Sequence, residues 1–271
     1  MQTSLFDLSG KSVLITGSTK GIGRAMAEEM AYHGANVVIS SRKSDACEAV
    51  ANAINSKLAE NNNGSSNTAG NMATNKAVAV PANIGHKDQL ENLVAKSREA
   101  FGKIDVLVCN AAVNPYYGPM KDMPDDAFDK ILSVNIKSNH WLAHMVMPEM
   151  IERNDGAIII VSSVGGLRGH ATLGGYCISK AADLQLVRNL ATEYGPNNIR
   201  VNAISPGLIK TDFARALWEN PETLSKRTEG DPLRRIGEPR EVAGAAVFLA
   251  SKAGSFTTGQ NFVIDGGATI S

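Results

Sequence analysis

Tyr176 and Lys180 stand four residues apart at the head of a strongly helical stretch, Gly175-Tyr176-Cys177-Ile178-Ser179-Lys180. On a helix that spacing stacks the two side chains on one face. A free tyrosine gives up its proton near pH ~10, which makes it a poor acid-base group at neutrality. An ammonium about 4 Å away favours the phenolate by roughly 4 kcal/mol at an effective dielectric of ~20. That equals roughly three pKa units before the lysine's own desolvation is subtracted. A tyrosine tuned in this way can pass a proton to or from an alcohol. Ser163, thirteen residues upstream, carries a further hydroxyl. Carbonyl reduction leaves negative charge on oxygen, so donors fixed at that point stabilise the transition state.

A second Tyr-x-x-x-Lys, Tyr117 to Lys121, shows how little the pattern means alone. Gly118-Pro119 interrupts it and breaks the helix that a shared face requires. Position 104, thirteen residues before Tyr117, is Ile, so no hydroxyl accompanies it. The Tyr176 copy is set apart by its surroundings.

A glycine-rich turn, Thr16-Gly17-Ser18-Thr19-Lys20-Gly21-Ile22-Gly23, directly follows the first apolar run and opens the first helical stretch. Glycines there permit a tight turn and close approach of backbone to a ligand. Free N–H groups at a helix start, with the positive end of its dipole, favour a pyrophosphate. Gly17, Ser18, Lys20, Gly21, Ile22 and Gly23 are therefore candidate cofactor contacts. The spacing is G-x-x-x-G-x-G rather than G-x-G-x-x-G, and the Gly-Lys-Ser/Thr ending of a nucleotide-hydrolysing loop is missing. The next apolar run ends in Ser40-Ser41-Arg42-Lys43. NAD-preferring dinucleotide folds place a carboxylate here for the ribose hydroxyls. No acid occurs before Asp45, and Arg42 beside Ser41 can clamp a 2′-phosphate. The expected cofactor is NADP(H) in preference to NAD(H).

The elements that must position these residues alternate from end to end. Strands are expected at 12–16, 36–40, 77–81, 104–109, 157–162, 199–205 and 261–264, several of them continuous Val/Ile runs of the kind covered by helices on both faces. Helices are expected near 23–33, 44–60, 88–101, 125–153, 176–194 and 239–251. Repeated β-α-β units imply an α/β fold: a doubly wound, parallel, seven-stranded sheet with helices on both faces, in one domain over 1–271. Two segments depart from the alternation. Residues 61–75 are polar, rich in turn formers and without period, which reads as a mobile surface insert of no assigned role. Residues 208–232 mix Phe213, Leu217 and Trp218 with Pro221, Gly230 and Pro232, which suits a substrate lid; a packed helix pair is the plainer alternative.

With 271 residues, 43% of them hydrophobic, the chain can bury a large core. Its 27 basic and 27 acidic residues balance, so nothing in the charge points to nucleic acid or an anionic membrane. No apolar run reaches spanning length, the N-terminal residues lack a secretion signal, and Thr269-Ile270-Ser271 is not a peroxisomal ending. Cys47, Cys109 and Cys177 are odd in number and widely spaced, which reads as reduced thiols in a cytoplasmic protein. His140 and His144 share a helix face, but no Glu between them and no third ligand suggest a metal, and none is expected.

Together these residues resemble the short-chain dehydrogenase/reductase family over essentially the whole chain. The matching motifs are Thr16-Gly17-x-x-x-Gly21-Ile22-Gly23, Asn110-Ala111-Ala112, Asn135, Ser163, Tyr176-x-x-x-Lys180 and Pro206-Gly207, in the family's order. The resemblance implies hydride transfer between a nicotinamide and a carbonyl or alcohol carbon. Tyr176 would be the acid-base, Ser163 the donor to the substrate oxygen, and Lys180 the group that tunes Tyr176 and holds the nicotinamide ribose. Asn135 would lie at a kink in a long helix and hold a proton-relay water near Lys180. Asn83 and Ile84 would edge the adenine, Asn110 and Ala111 would line the cofactor, and Pro206, Gly207, Ile209 and Thr211 would meet the nicotinamide. Two positions depart from the family pattern: Asn83 stands where Asp is usual, and Ala112 replaces a glycine. The turn Asp265-Gly266-Gly267 resembles the one after the family's last strand, and that strand with its preceding helix implies a homotetramer.

Residues expected to flank the nicotinamide are Pro115, Tyr116, Val164, Leu173, Leu208, Phe213, Leu217 and Trp218, with Ser163. This largely apolar lining suits a neutral, hydrophobic or aromatic carbonyl compound or secondary alcohol. Asn114-Pro115-Tyr116-Tyr117-Gly118 and Arg235-Ile236-Gly237-Glu238-Pro239 are similar to stretches of NADPH-dependent carbonyl reductases acting on retinal-type and diketone substrates. Two other functions share these motifs. A 3-oxoacyl thioester reductase has the same catalytic set but wants a basic patch for a carrier protein or coenzyme A. A non-catalytic NADP(H) sensor would instead be marked by a damaged set, and here all four positions are intact.

Overall fold

The apolar runs become strands because their alternate side chains serve two cores at once. The computed structural model describes residues 4–64 and 75–271. Its strands are β1 (Ser12–Thr16), β2 (Asn36–Ser40), β3 (Ala77–Ala79), β4 (Val106–Cys109), β5 (Gly156–Val161), β6 (Ile199–Pro206) and β7 (Asn261–Ile264). All pair in parallel, in the order β3-β2-β1-β4-β5-β6-β7. On β4, Val106 and Val108 face one core, while Leu107 and Cys109 face the other.

Three long helices cover each face. Helices α1 (Gly21–Tyr32) and α2 (Ser44–Gly64) bury Met26, Met30, Val50 and Ile54 on one side, together with Val242, Ala246 and Leu249 of α9 (Pro239–Ala250). On the other side α3 (Lys87–Phe101), α5 (Ser138–Arg153) and α6 (Gly174–Tyr194) bury Leu90, Leu93, Leu142, Val146, Leu184 and Val187. This is the doubly wound single domain that the alternation predicts. The strand order reverses between β1 and β4, and the crevice beyond their C-terminal ends is where such sheets take ligands.

The structure refines several boundaries. The helix expected over 125–153 is helical throughout, but α4 (Asp125–Leu132) and α5 are joined by a π-helical turn at Ser133–Lys137. Segment 208–232 holds two short helices, α7 (Arg215–Trp218) and α8 (Pro221–Thr228). Of the insert expected at 61–75, residues 61–64 continue α2, and 65–74 lie outside the described residues. Among the described residues, no helix is long and apolar enough to cross a membrane.

Candidate active site

At the end of β1 the chain turns sharply, and two glycines carry the turn with left-handed backbone, Gly17 at φ 67° and Gly21 at φ 57°. Gly23 is required for space: a Cβ there would lie 2.4 Å from both Asn110 Nδ2 and the Gly17 carbonyl oxygen. Asn110, at the end of β4, fixes the turn by donating to the carbonyls of Thr16 (2.9 Å) and Gly17 (3.2 Å). Ser18 is fully buried and takes the Ser40 amide at 2.8 Å, which ties the turn to β2. Ser18 and the Asn110 side chain are thus spent on holding the turn, which leaves backbone to meet a ligand. Helix α1 starts without a capping side chain and without an acid in its first turn. Its orphan N–H groups are open to an anion. Small residues and uncapped amides here fit a dinucleotide pyrophosphate.

The other cofactor candidates gather along the same edge. Ser41 and exposed Arg42 follow β2, Asn83 and Ile84 follow β3, and Ala111 follows β4. Asn83 uses its side-chain oxygen to accept the Gly85 amide at 3.1 Å. Pro206 ends β6, and Gly207 lies where a Cβ would meet Asp265 at 2.7 Å. Ile209 is buried, and Thr211 caps the next turn while its methyl approaches Gly21. Lys20 is engaged from across the crevice, its Nζ 3.0 Å from exposed Asp212.

Ser163, Tyr176, Lys180 and Asn135 converge below this edge from β5, α6 and the π turn. The Ser163 hydroxyl accepts the Gly165 amide at 3.1 Å. A methyl added to Gly165 would lie 3.4 Å from Ser163 Oγ and 3.9 Å from a Tyr176 ring carbon, so the two hydroxyl residues flank one small space. Gly166 lets the turn lie on the α6 backbone, since a Cβ there would meet the Lys180 carbonyl carbon at 2.7 Å. Ser162 instead points into packing and donates to the Lys180 carbonyl at 2.8 Å.

The electrostatics differ from the simple pair that spacing suggests. Lys180 is almost wholly buried, and its Nζ donates to the Val161 carbonyl (2.8 Å) and to Asp183 Oδ2 (2.9 Å). It lies 5.8 Å from the centre of the Tyr176 ring. Burial pushes the Tyr176 hydroxyl above its ordinary pKa; Lys180 and Ser163 pull it down by less, and Asp183 pushes it up again. The expected acid shift is therefore outweighed by burial. Desolvation works against the Lys180 charge, but its pKa stays above the ordinary value, chiefly through Asp183.

Asn135 is fully buried in the π turn and acts as a clamp. Its side chain takes the Val113 amide (2.8 Å), donates to the Val113 carbonyl (3.0 Å) and donates to Ser179 Oγ (3.0 Å). Its backbone carbonyl accepts from Asn139 Nδ2 at 2.7 Å. Asn139 also donates to Asp183 Oδ1 at 2.9 Å. Asp183 and Asn139 were missed in the sequence, although both repeat helical spacings, three residues after Lys180 and four after Asn135.

The expected substrate-side residues divide. Phe213 is exposed and stands 6.0 Å from the Tyr176 ring, centre to centre. Trp218 is half-buried, and its indole donates to the Thr211 carbonyl at 2.9 Å. Val164, Leu173, Leu208, Leu217 and Tyr116 are half-buried, whereas Pro115 is exposed. Tyr116 turns its hydroxyl to the Pro119 carbonyl (3.0 Å). Burial, Arg227 and Arg168 hold His170, on the turn before α6, below its ordinary pKa, so two cations stand near it. His140 and His144 stack at 4.2 Å on α5 and share no further ligand cluster among the described residues.

Known proteins repeat this architecture. The family model described as enoyl-(acyl carrier protein) reductase matches residues 17–269. Dehydrogenase/reductase SDR family member 4 of Bos taurus is 39% identical over 262 residues, 96% of this chain and 88% of the relative. The protein of that name from Homo sapiens is 38% identical over 261 residues, with the same coverage of 96% and 88%. A 7 alpha-hydroxysteroid dehydrogenase, solved with NADH and 7-oxo glycochenodeoxycholic acid, is 34% identical, with 98% of each chain covered and a TM-score of 0.88. Levodione reductase is 29% identical, with 97% of this chain and 99% of its own covered and a TM-score of 0.88.

Proposed function

Because the chain belongs to the short-chain dehydrogenase/reductase family of nicotinamide-dependent oxidoreductases, we propose that it moves a hydride between NADP(H) and a small, largely apolar carbonyl compound or secondary alcohol. The observation that carries this reading is the convergence of Ser163, Tyr176, Lys180 and Asn135 below the glycine turn. The bound nicotinamide supplies or takes the hydride. Every other task falls to the chain. The Gly17–Gly23 turn and the first amides of α1 would hold the pyrophosphate, while Ser41 and Arg42 would hold a 2′-phosphate. Asn83, Ile84, Asn110, Ala111, Pro206, Gly207, Ile209 and Thr211 would line the remainder, and Lys20 would meet a phosphate once released from Asp212.

In reduction, Ser163 Oγ donates to the substrate oxygen and steadies the charge that develops there. Tyr176 gives that oxygen its proton, and in oxidation it takes the proton back. A tyrosine held protonated, as burial holds this one, suits the donor role. Lys180 uses two protein acceptors, and its third N–H is available to a ribose hydroxyl. Phe213, Leu217 and Trp218 would close over the substrate with Val164, Leu173, Leu208, Pro115 and Tyr116.

The preference for NADP(H) rests on exposed Arg42 and on the lack of an acid at 40–44. A panel of carbonyl compounds scored by loss of reduced-nicotinamide absorbance tests both parts of the reading. NADPH should outperform NADH, and Arg42→Asp should reverse the order. Equal use of the two by the unmutated protein would refute the preference. Failure to oxidise either cofactor with any carbonyl would refute the reaction.

A 3-oxoacyl thioester substrate is a second reading. It is supported by Arg168 and Arg227 near His170 and by the acyl carrier protein named in the matched family model; turnover of an acetoacetyl thioester discriminates it. A homotetramer in the cytoplasm completes the reading. Edge strand β7 supports assembly, with Val263 37% exposed and Phe256 fully exposed just before it.

A further inference from the structure

We propose that Asp183 is a positioning residue of this reaction: it anchors Lys180 Nζ beneath the Val161 carbonyl and offsets the lysine's positive field at Tyr176. The inference rests on the assignment of Tyr176 as the acid-base. Its basis is a continuous buried chain. The Asn135 carbonyl accepts from Asn139 at 2.7 Å, Asn139 donates to Asp183 Oδ1 at 2.9 Å, and Asp183 Oδ2 takes Lys180 Nζ at 2.9 Å. Lys180 is 2% exposed and Asp183 is not exposed at all, so neither charge is screened by water. Four elements thus fix one ammonium: β5, the π turn, α5 and α6.

A lone buried ammonium would draw the phenol toward ionisation through its whole charge. A carboxylate 2.9 Å from it leaves a pair of nearly zero net charge, and the phenol feels only their difference in distance. The other titratable groups that face the pair and the phenol are Cys109 at the end of β4 and Cys177 next to the tyrosine. Burial pushes both thiols up, so both stay neutral at working pH. Arg168 acts on Cys177. The carboxylate is therefore the charge that decides how much of the lysine's field reaches Tyr176. Asn139 and the Val161 carbonyl keep the pair from rotating away.

The test is the pH profile of alcohol oxidation at saturating cofactor, measured for the parent, Asp183→Asn and Asp183→Glu. The midpoint for deprotonation should fall by about one unit in Asp183→Asn. In Asp183→Glu, which keeps the charge but misplaces the lysine, it should return toward the parent value with lowered turnover. A purely structural role would lower turnover in Asp183→Asn and leave the midpoint where it was, and that result overturns the inference. Should Asp183→Asn fail to fold, the unmodified protein decides. A ¹³C-tyrosine titration, assigned with Tyr176→Phe, should show the ligand-free phenol ionising at or above ~10. Ionisation near neutrality would overturn the inference. An active Tyr176→Phe variant would sink the proposed function instead, which separates the two failures.

Discussion

Replacing Lys180 with Met tests how the buried pair is held together. The substitution roughly conserves volume but leaves Asp183 buried with only the Asn139 amide as partner. Breaking a buried ion pair from one side costs roughly 3–5 kcal/mol, because a charge is left without compensation. Asp183 can escape part of that cost by taking up a proton. Burial already pushes its carboxyl above the ordinary 3.8, and losing the lysine removes the largest opposing pull. The sign of the pH dependence follows. A carboxyl whose folded pKa is raised contributes stability that is complete below its unfolded pKa and is lost as pH climbs through the folded value. The deficit of Lys180→Met should therefore be small in acid, below ~4, and should grow by about 1.4 kcal/mol per pH unit. It levels off once Asp183 ionises in the folded variant. Urea denaturation of parent and variant at matched pH values reads the difference directly. Lys180→Met combined with Asp183→Leu should recover most of the loss at neutrality. A deficit that is absent, or constant from acid to neutral pH, would refute the buried ion pair as described.

Two further outcomes follow from other parts of the molecule. Gly23→Ala forces a Cβ to within 2.4 Å of the Gly17 carbonyl oxygen and of Asn110 Nδ2, so the turn must open at a cost of about 1–3 kcal/mol. Fluorescence titration should show NADPH binding roughly tenfold weaker or worse, and unchanged affinity would contradict the tight turn. At the start of α9, Arg235 and the Glu238 amide hold the Glu241 carboxyl down at about 2, against an ordinary 4.5. A lowered carboxyl adds stability above its unfolded value and loses it as pH falls through the folded one. Glu241→Gln should therefore melt below the parent at neutral pH and match it near pH ~2. A gap that persists in acid would count against the pairing.

Much of the fold was legible because several strands carry a dense Val/Ile run and the intervals between them are mostly helix-sized. The Gly17–Gly23 turn was legible because its glycines follow a strand and open a helix, and the structure supplies the reason for Gly23 in the carbonyl it would strike. Tyr176 and Lys180 were legible from their spacing on a helix, whereas the choice of Ser163 and of Asn135 came from the family resemblance. What stayed hidden depends on orientation and burial rather than on residue type. Tyr-x-x-x-Lys gives a shared face, but not the 5.8 Å from ammonium to ring, nor the desolvation that outweighs it. Asp183 three residues after a lysine reads as an ordinary surface pair. Only the fold puts it under the sheet with Asn139. The π turn at Ser133–Lys137 was signalled only by the family resemblance, which implied a kink at Asn135, since those residues continue the helical pattern of their neighbours.

That wide turn also bears on how this chain can tolerate change. It accommodates one surplus residue without ending the helix, so the residues after it keep the faces an unbroken helix would give them. Removing that surplus residue from 133–137 would close the turn to an ordinary α-helical one and leave Leu142, Ala143, Val146 and Met150 buried against the sheet. Removing one residue beyond the turn, early in α5, meets no such slack and would swing the rest of that helix by about 100°, turning those four toward solvent. The turn thus absorbs a change of count that the helix after it cannot.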